Sequence, residues 1–230
     1  MSHLLDRCIW QALSGRQAQF SHGTDVARRF DPIYGRFAGT VDDSAESLAA
    51  LHCSLPDRSP VVLFTPTELT LPPMLACARR AQIRQMTLAA GALPADIPEV
   101  PSTTRPLGVA DVPAMMGLVE LTHPGPFAER TVELGRYLGV FEGDGLIAMA
   151  GERMCLDGFV ELSAVCTHPA HRGKRLSAAL IGALGHAAFD RGETPFLHAF
   201  ADNEPALAVY RKLGFSLRAT LHMAVVAKAP

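Results

Sequence analysis

The sequence has little that would tie it to metal, membrane or nucleic acid. Its five cysteines, at positions 8, 53, 77, 155 and 166, include no Cys-x-x-Cys pair and no Cys/His spacing of a zinc site. An odd, scattered set of thiols argues against a disulfide framework and for a reducing compartment. No stretch approaches the roughly 20 apolar residues needed to span a bilayer, and the opening Met-Ser-His-Leu-Leu-Asp-Arg has no apolar signal core. The expected location is therefore the cytoplasm. Charge is nearly balanced, with 21 Lys and Arg against 23 Asp and Glu and a formal net charge of −2. The chain as a whole offers no field for nucleic acid, so any attraction for phosphate must be local. There is no internal repeat and no low-complexity segment. Core-forming residues are plentiful: 48% of the 230 residues are hydrophobic, enough for one large domain or two small ones.

Taken in order, Leu4, Leu5, Cys8, Ile9 and Leu13 carry a helical spacing over residues 3–14. Residues 44–51 open like a capped helix behind Ser44, residues 60–66 read as a short buried strand, and a helix is expected over 73–85. Residues 1–90 thus form a small mixed α/β region, and the proline-bearing segment 91–104 reads as a linker. From 105 to 230 the order is helix, helix, strand, strand, strand, helix, strand, helix, strand. Asp111 caps the first helix, the turn at 122–126 breaks it, and a second short helix reaches Leu134. Glu142-Gly-Asp-Gly145 joins the first two strands as a hairpin. Asn203 caps the last helix, with Pro205 in its first turn and Gly214 at its end.

The stretch with chemistry is Glu161-Leu-Ser-Ala-Val-Cys-Thr-His-Pro-Ala-His-Arg-Gly-Lys-Arg-Leu176. A period of two puts Phe159, Glu161, Ser163 and Val165 on one strand face and Val160, Leu162, Ala164 and Cys166 on the other. After Gly173 the spacing turns helical. Free backbone N–H groups at a helix start, its positive dipole end and the cations Arg172, Lys174 and Arg175 together suit a phosphate or pyrophosphate.

Two motifs carry a resemblance to a known family. One is Arg172-Gly-Lys-Arg175-Leu-Ser177; the other is Asn203-x-x-Ala206-x-x-x-Tyr210-x-x-x-Gly214-Phe215. Together they resemble the GNAT superfamily of acyl-CoA-dependent N-acetyltransferases, over roughly residues 105–230. The first motif departs from the family pattern, because Arg175 stands where a glycine is expected and Ser177 where Gly or Ala is. The resemblance implies an α/β (mixed α+β) fold with a mixed central sheet flanked by helices, joined here to the extra N-terminal α/β region. It implies direct transfer of an acetyl group from acetyl-CoA, the co-substrate, to a primary amine in a ternary complex, without a metal.

The same resemblance assigns roles. Glu161 would take the proton of the amine, and Tyr210 would protonate the departing thiolate. Val165, Cys166 and Thr167 would offer backbone groups to the thioester, and Arg172, Gly173, Lys174, Arg175 and Ser177 would hold the phosphates. Asn203 would reach the pantetheine arm or only cap its helix. His198 and His123 are candidates for the acceptor side, and Cys166 is expected to be core rather than nucleophile. The expected partners are acetyl-CoA and an amine acceptor, with neither nucleic acid nor membrane, and a homodimer is left open. Two alternatives stay beside this reading: a non-catalytic acyl-CoA sensor or docking module, and an enzyme that takes a longer acyl chain.

Overall fold

The computed structural model describes residues 3–56 and 59–229. A 3-10 turn, Leu4–Arg7, leads into α1, Cys8–Ser14, whose Cys8, Ile9, Ala12 and Leu13 are buried as the helical spacing predicts. Three short strands, β1 (Ser21–Gly23), β2 (Ala27–Phe30) and β3 (Ala38–Thr40), make a small antiparallel sheet. Helix α2, Ala45–Ser54, starts at Ser44, whose hydroxyl accepts from Ser47 N at 3.2 Å. Strand β4, Val61–Thr65, is followed by β5, Leu75–Leu88.

Strand β5 overturns the helix expected over 73–85. Its Ala, Arg, Gln and Met residues favour a helix locally. The strand is imposed from outside by partners on both edges: β10 (Thr194–Phe200) pairs along Ile83 to Thr87, and β11 (Phe215–Lys228) along nearly its whole length. Ile83 then faces α1, and Met86 and Leu88 face the opposite layer.

The later elements follow the expected order after one unexpected strand, Thr104–Pro106. They are β6 (Thr104–Pro106), α3 (Val112–Thr122), β7 (Tyr137–Glu142), β8 (Gly145–Leu156), β9 (Phe159–Thr167), α4 (Leu176–Phe189), then β10, α5 (Glu204–Lys212) and β11. The second short helix is only the 3-10 turn Thr131–Leu134. Asp111 does not cap α3 with its side chain; its carboxylate binds Arg105 and accepts from Gly108 N. Eight strands form one sheet in the order β4-β11-β5-β10-β9-β8-β7-β6, antiparallel except for the β9–β10 pair. The sheet is mixed and flanked by helices, as the fold class requires.

The division drawn at 91–104 does not coincide with a break in this sheet. Strands β4 and β5, from before the segment, are hydrogen-bonded to β10 and β11, from after it. The segment itself is packed down. Leu93 and Ile97 lie against α4, where the side-chain-free faces of Gly185 and Gly182 admit them. One sheet face carries α4, with Leu180, Ile181 and Leu184 buried on it; the other carries α1, the small sheet and α3.

Candidate active site

The two parallel strands stay together only over Phe159 to Glu161 on β9 and Thr194 to Phe196 on β10. Beyond that point β9 carries a bulge. Its register to β8 passes from Ser163↔Gly151 to Cys166↔Met149, one residue longer on β9, and Ala164 takes φ 52°. This extra residue reverses the alternation. Leu162 and Val165 both face the α4 layer, and Ala164 and Cys166 turn to the α3 side. The expectation that Glu161, Ser163 and Val165 share one face, with Ala164 and Cys166 opposite, is thereby corrected: a strict period of two cannot see a one-residue insertion.

After β9 the chain makes a tight turn. His168 Nδ1 accepts from Ala170 N, Gly173 has φ 81°, and Arg175 is the N-cap of α4 at φ 56°, ψ 21°. The first bond of the helix runs from Ala179 N to Arg175 O at 3.1 Å, so the N–H groups of Leu176, Ser177 and Ala178 have no acceptor inside the helix. Thr167 and Ser177 hydroxyls meet at 2.8 Å, locking the helix start to the strand end. Around this corner lies a cleft of about 690 Å³. It is bounded by Val165, Cys166 and Thr167, by the turn from Arg172 to Ser177, by Thr122 and Pro124 behind α3, and by Asp96, Val209, Lys212 and Leu213.

The cleft thus brings together eight of the expected residues: Val165, Cys166, Thr167, Arg172, Gly173, Lys174, Arg175 and Ser177. Its donor set fits a pyrophosphate, with three unclaimed N–H groups and cationic side chains at a dipole's positive end. Arg175 is engaged across the cleft rim, where its Nη2 contacts Asp96 O and Oδ2 at 3.3 Å. Burial pushes the Cys166 thiol up to about 11, which keeps it a neutral wall residue.

Three expected residues lie outside the cleft wall. Asn203 accepts from Ala206 N at 3.2 Å and caps α5. Tyr210, one position past the cleft-lining Val209, packs on Phe215 with ring centroids 6.0 Å apart. Desolvation raises its phenol above the usual tyrosine range, so it remains a proton carrier at neutral pH.

Glu161 is the larger departure. It is 0% exposed, and its carboxylate accepts from Arg153 Nε at 2.8 Å and Nη2 at 2.7 Å, with His198 Nδ1 2.8 Å from Oε1. Burial alone would raise this carboxyl, but the Arg153 guanidinium and the His198 hydrogen bond outweigh it and bring it to about 2. A group so acidic and enclosed is not poised to take a proton from an amine. His198 is held in the same network: Gln85 Nε2, which also donates to Leu5 O, lies 2.9 Å from its Nε2. Arg218 extends the chain of contacts from Gln85 to Asp6. His123 is the left-handed C-cap of α3 at φ 48°.

The sequence reading missed Lys212, Asp96 and Thr122 as cleft residues. Lys212 alone had a signal, lying on the Tyr210 helix one turn after Val209. Arg153 was missed as the partner of Glu161, although a lone arginine inside the apolar run of β8 was the visible sign.

Residues 137–223 match the family described as FR47-like protein. Over the whole length of both chains, the sequence is 35% identical to a Novosphingobium aromaticivorans protein described as belonging to the GNAT family, with a TM-score of 0.88. A GCN5-related N-acetyltransferase-like protein from Streptococcus suis shares the fold at 17% identity and a TM-score of 0.59, covering 95% of this chain and 92% of its own. No curated protein matches the sequence. Identity of 35% over the full length of both chains to a member of the GNAT family, on a sheet whose two parallel strands splay beside a helix start, means that the chain belongs to the GNAT family.

Proposed function

We propose that the protein transfers an acetyl group from acetyl-CoA to a primary amine within a ternary complex. The observation that carries this reading is the continuity of the cleft: the unclaimed N–H groups of α4 open directly onto the bulged end of β9. The pyrophosphate would sit on the turn from Arg172 to Ser177. The thioester would then reach Val165, Cys166 and Thr167, where the bulge interrupts the ladder and leaves backbone polar groups for its carbonyl. The neutral amine attacks the thioester carbon from the side of Thr122 and Pro124. Its C–N bond forms, the C–S bond breaks, and the thiolate takes the Tyr210 proton. The tyrosinate regains a proton from the acetylated nitrogen, so the cycle closes without Glu161, whose role is to brace β9 through Arg153 and His198.

The test is thiol release from acetyl-CoA against a panel of small amines, amino acids and peptide N-termini, with the amide product identified by mass. Turnover with at least one amine supports the reading. Tight CoA binding without turnover on any of them would replace it with the sensor. Tyr210→Phe should lower kcat by about 100-fold and leave the Kd for CoA unchanged, measured by single-turnover kinetics beside calorimetry. A variant with full kcat removes the phenol from the mechanism.

A further inference from the structure

The two arms of the splayed sheet can be set against each other by register. Glu161 and Phe196 are the last residues of β9 and β10 that pair. Val165 and Phe200 each lie four residues further along, so they stand at about the same height on the two arms, roughly 13 Å past that pair. Alternation along β10 sends Phe196 and Phe200 to the α1 layer and Leu197 and Ala199 to the α4 layer. The Phe200 ring is therefore across the gap from Val165, on the sheet face that carries α1 and α3.

A guanidinium covers that ring. Arg79 Cζ lies 4.8 Å from the Phe200 centroid, and Arg79 is exposed without an ion pair among the described residues. Its neighbour Arg80, which alternation turns to the other face of β5, is held by Glu68 at 3.4 Å and donates to Leu69 O at 2.9 Å. Asp202, two residues past Phe200, is exposed and forms no ion pair with Arg79. The surface beside Arg79 is apolar: Ala81 and its β11 partner Val225 are half-buried in the α1 layer, and Val62 continues the row on β4. At the far end of the row Arg36, whose carbonyl accepts from Val62 N at 2.7 Å, is a second exposed cation without an ion pair among the described residues. A guanidinium stacked on a ring keeps its N–H edge free, and that edge matches a carboxylate.

Resting on the acetyl-transfer reading above, we infer that the acceptor is an amino acid, with its amine at the thioester and its carboxylate on Arg79. The Phe200 ring shields one face of the guanidinium from water and holds it toward the gap. The same cation repels the second charge of a diamine, so the device both attracts the zwitterion and rejects the dication.

The test is thiol release from acetyl-CoA with leucine, phenylalanine and 6-aminohexanoate, each beside its carboxamide, with kcat/KM expressed per neutral amine. The wild-type protein should prefer at least one acid over its amide by about tenfold. Arg79→Gln should lose that preference through a higher KM for the acid, with kcat/KM on the amide unchanged, and Arg79→Lys should keep part of it. Wild-type protein that uses each amide as well as its acid, turnover confined to amines without a carboxylate, or Arg79→Gln that slows acid and amide alike or neither, overturns the carboxylate assignment and leaves acetyl transfer standing. Absence of thiol release with every acid, amide and amine overturns the acetyl-transfer reading itself, and this assignment with it.

Discussion

Arg175 holds a backbone conformation that a residue with a Cβ adopts at a loss. At φ 56° it lies in the left-handed region, where a non-glycine side chain is strained by about 1 kcal/mol. Its guanidinium recovers little of this, because the Asp96 contact is exposed and weak. Arg175→Gly is therefore expected to raise stability by about 1 kcal/mol, read as a higher urea midpoint at constant m-value. An unchanged or lower midpoint would contradict the strain. Glu161 is the opposite case, a residue whose surroundings hold it tightly. Glu161→Gln leaves Arg153 buried without its counter-charge and should destabilise the protein by about 3 kcal/mol. The folded carboxyl is lowered from an ordinary 4.5 to about 2, so its stabilisation is fully present above pH 4.5 and lost as pH falls toward 2. Denaturation midpoints across that window should fall for the wild type and stay flatter for the glutamine variant.

Among the elements, those written in local chemistry were legible and those set by distant partners were not. Ser44, Asn203 and Gly214 announced their helix ends because a cap needs only its own turn. The turn before α4 was legible for the same reason, through Arg172, Gly173 and Lys174. The bulge at Ala164 was hidden because nothing in a single strand marks where its partner runs one residue short. Strand β5 was hidden because its residues favour a helix and only pairing with β10 and β11 decides otherwise. The bulge leads to a test at the same scale. Gly151, opposite Ser163, lies under the Tyr137 ring, and a Cβ there would come within 2.1 Å of it. Gly151→Ala should cost about 1–3 kcal/mol by overpacking, measured by thermal unfolding. Because the displaced strand is the one that sets the β9 register, CoA affinity should drop in the same variant.

For the whole molecule, the question is whether the first ninety residues are an appendage. The sheet order answers it: removing them strips β11 of both neighbours and β10 of one. A fragment of residues 105–230 is expected to lack cooperative unfolding and amide dispersion in NMR, since Met86, Leu88 and Ile83 vanish from the layers on both sheet faces. A well-folded fragment that still binds CoA would mean that the family portion stands alone.

The place of β5 also has a consequence for how the chain comes off the ribosome. Leu75 to Leu88 emerge early, yet both edges wait for strands that are made after Thr194. At about 5–20 residues per second the strand is without partners for roughly ten seconds. During that interval its backbone donors and acceptors are a template for the wrong chain. Its exposed Arg79 and Arg80 are placed where like charges on a second copy would repel, so the strand that completes the sheet also carries its own guard during synthesis.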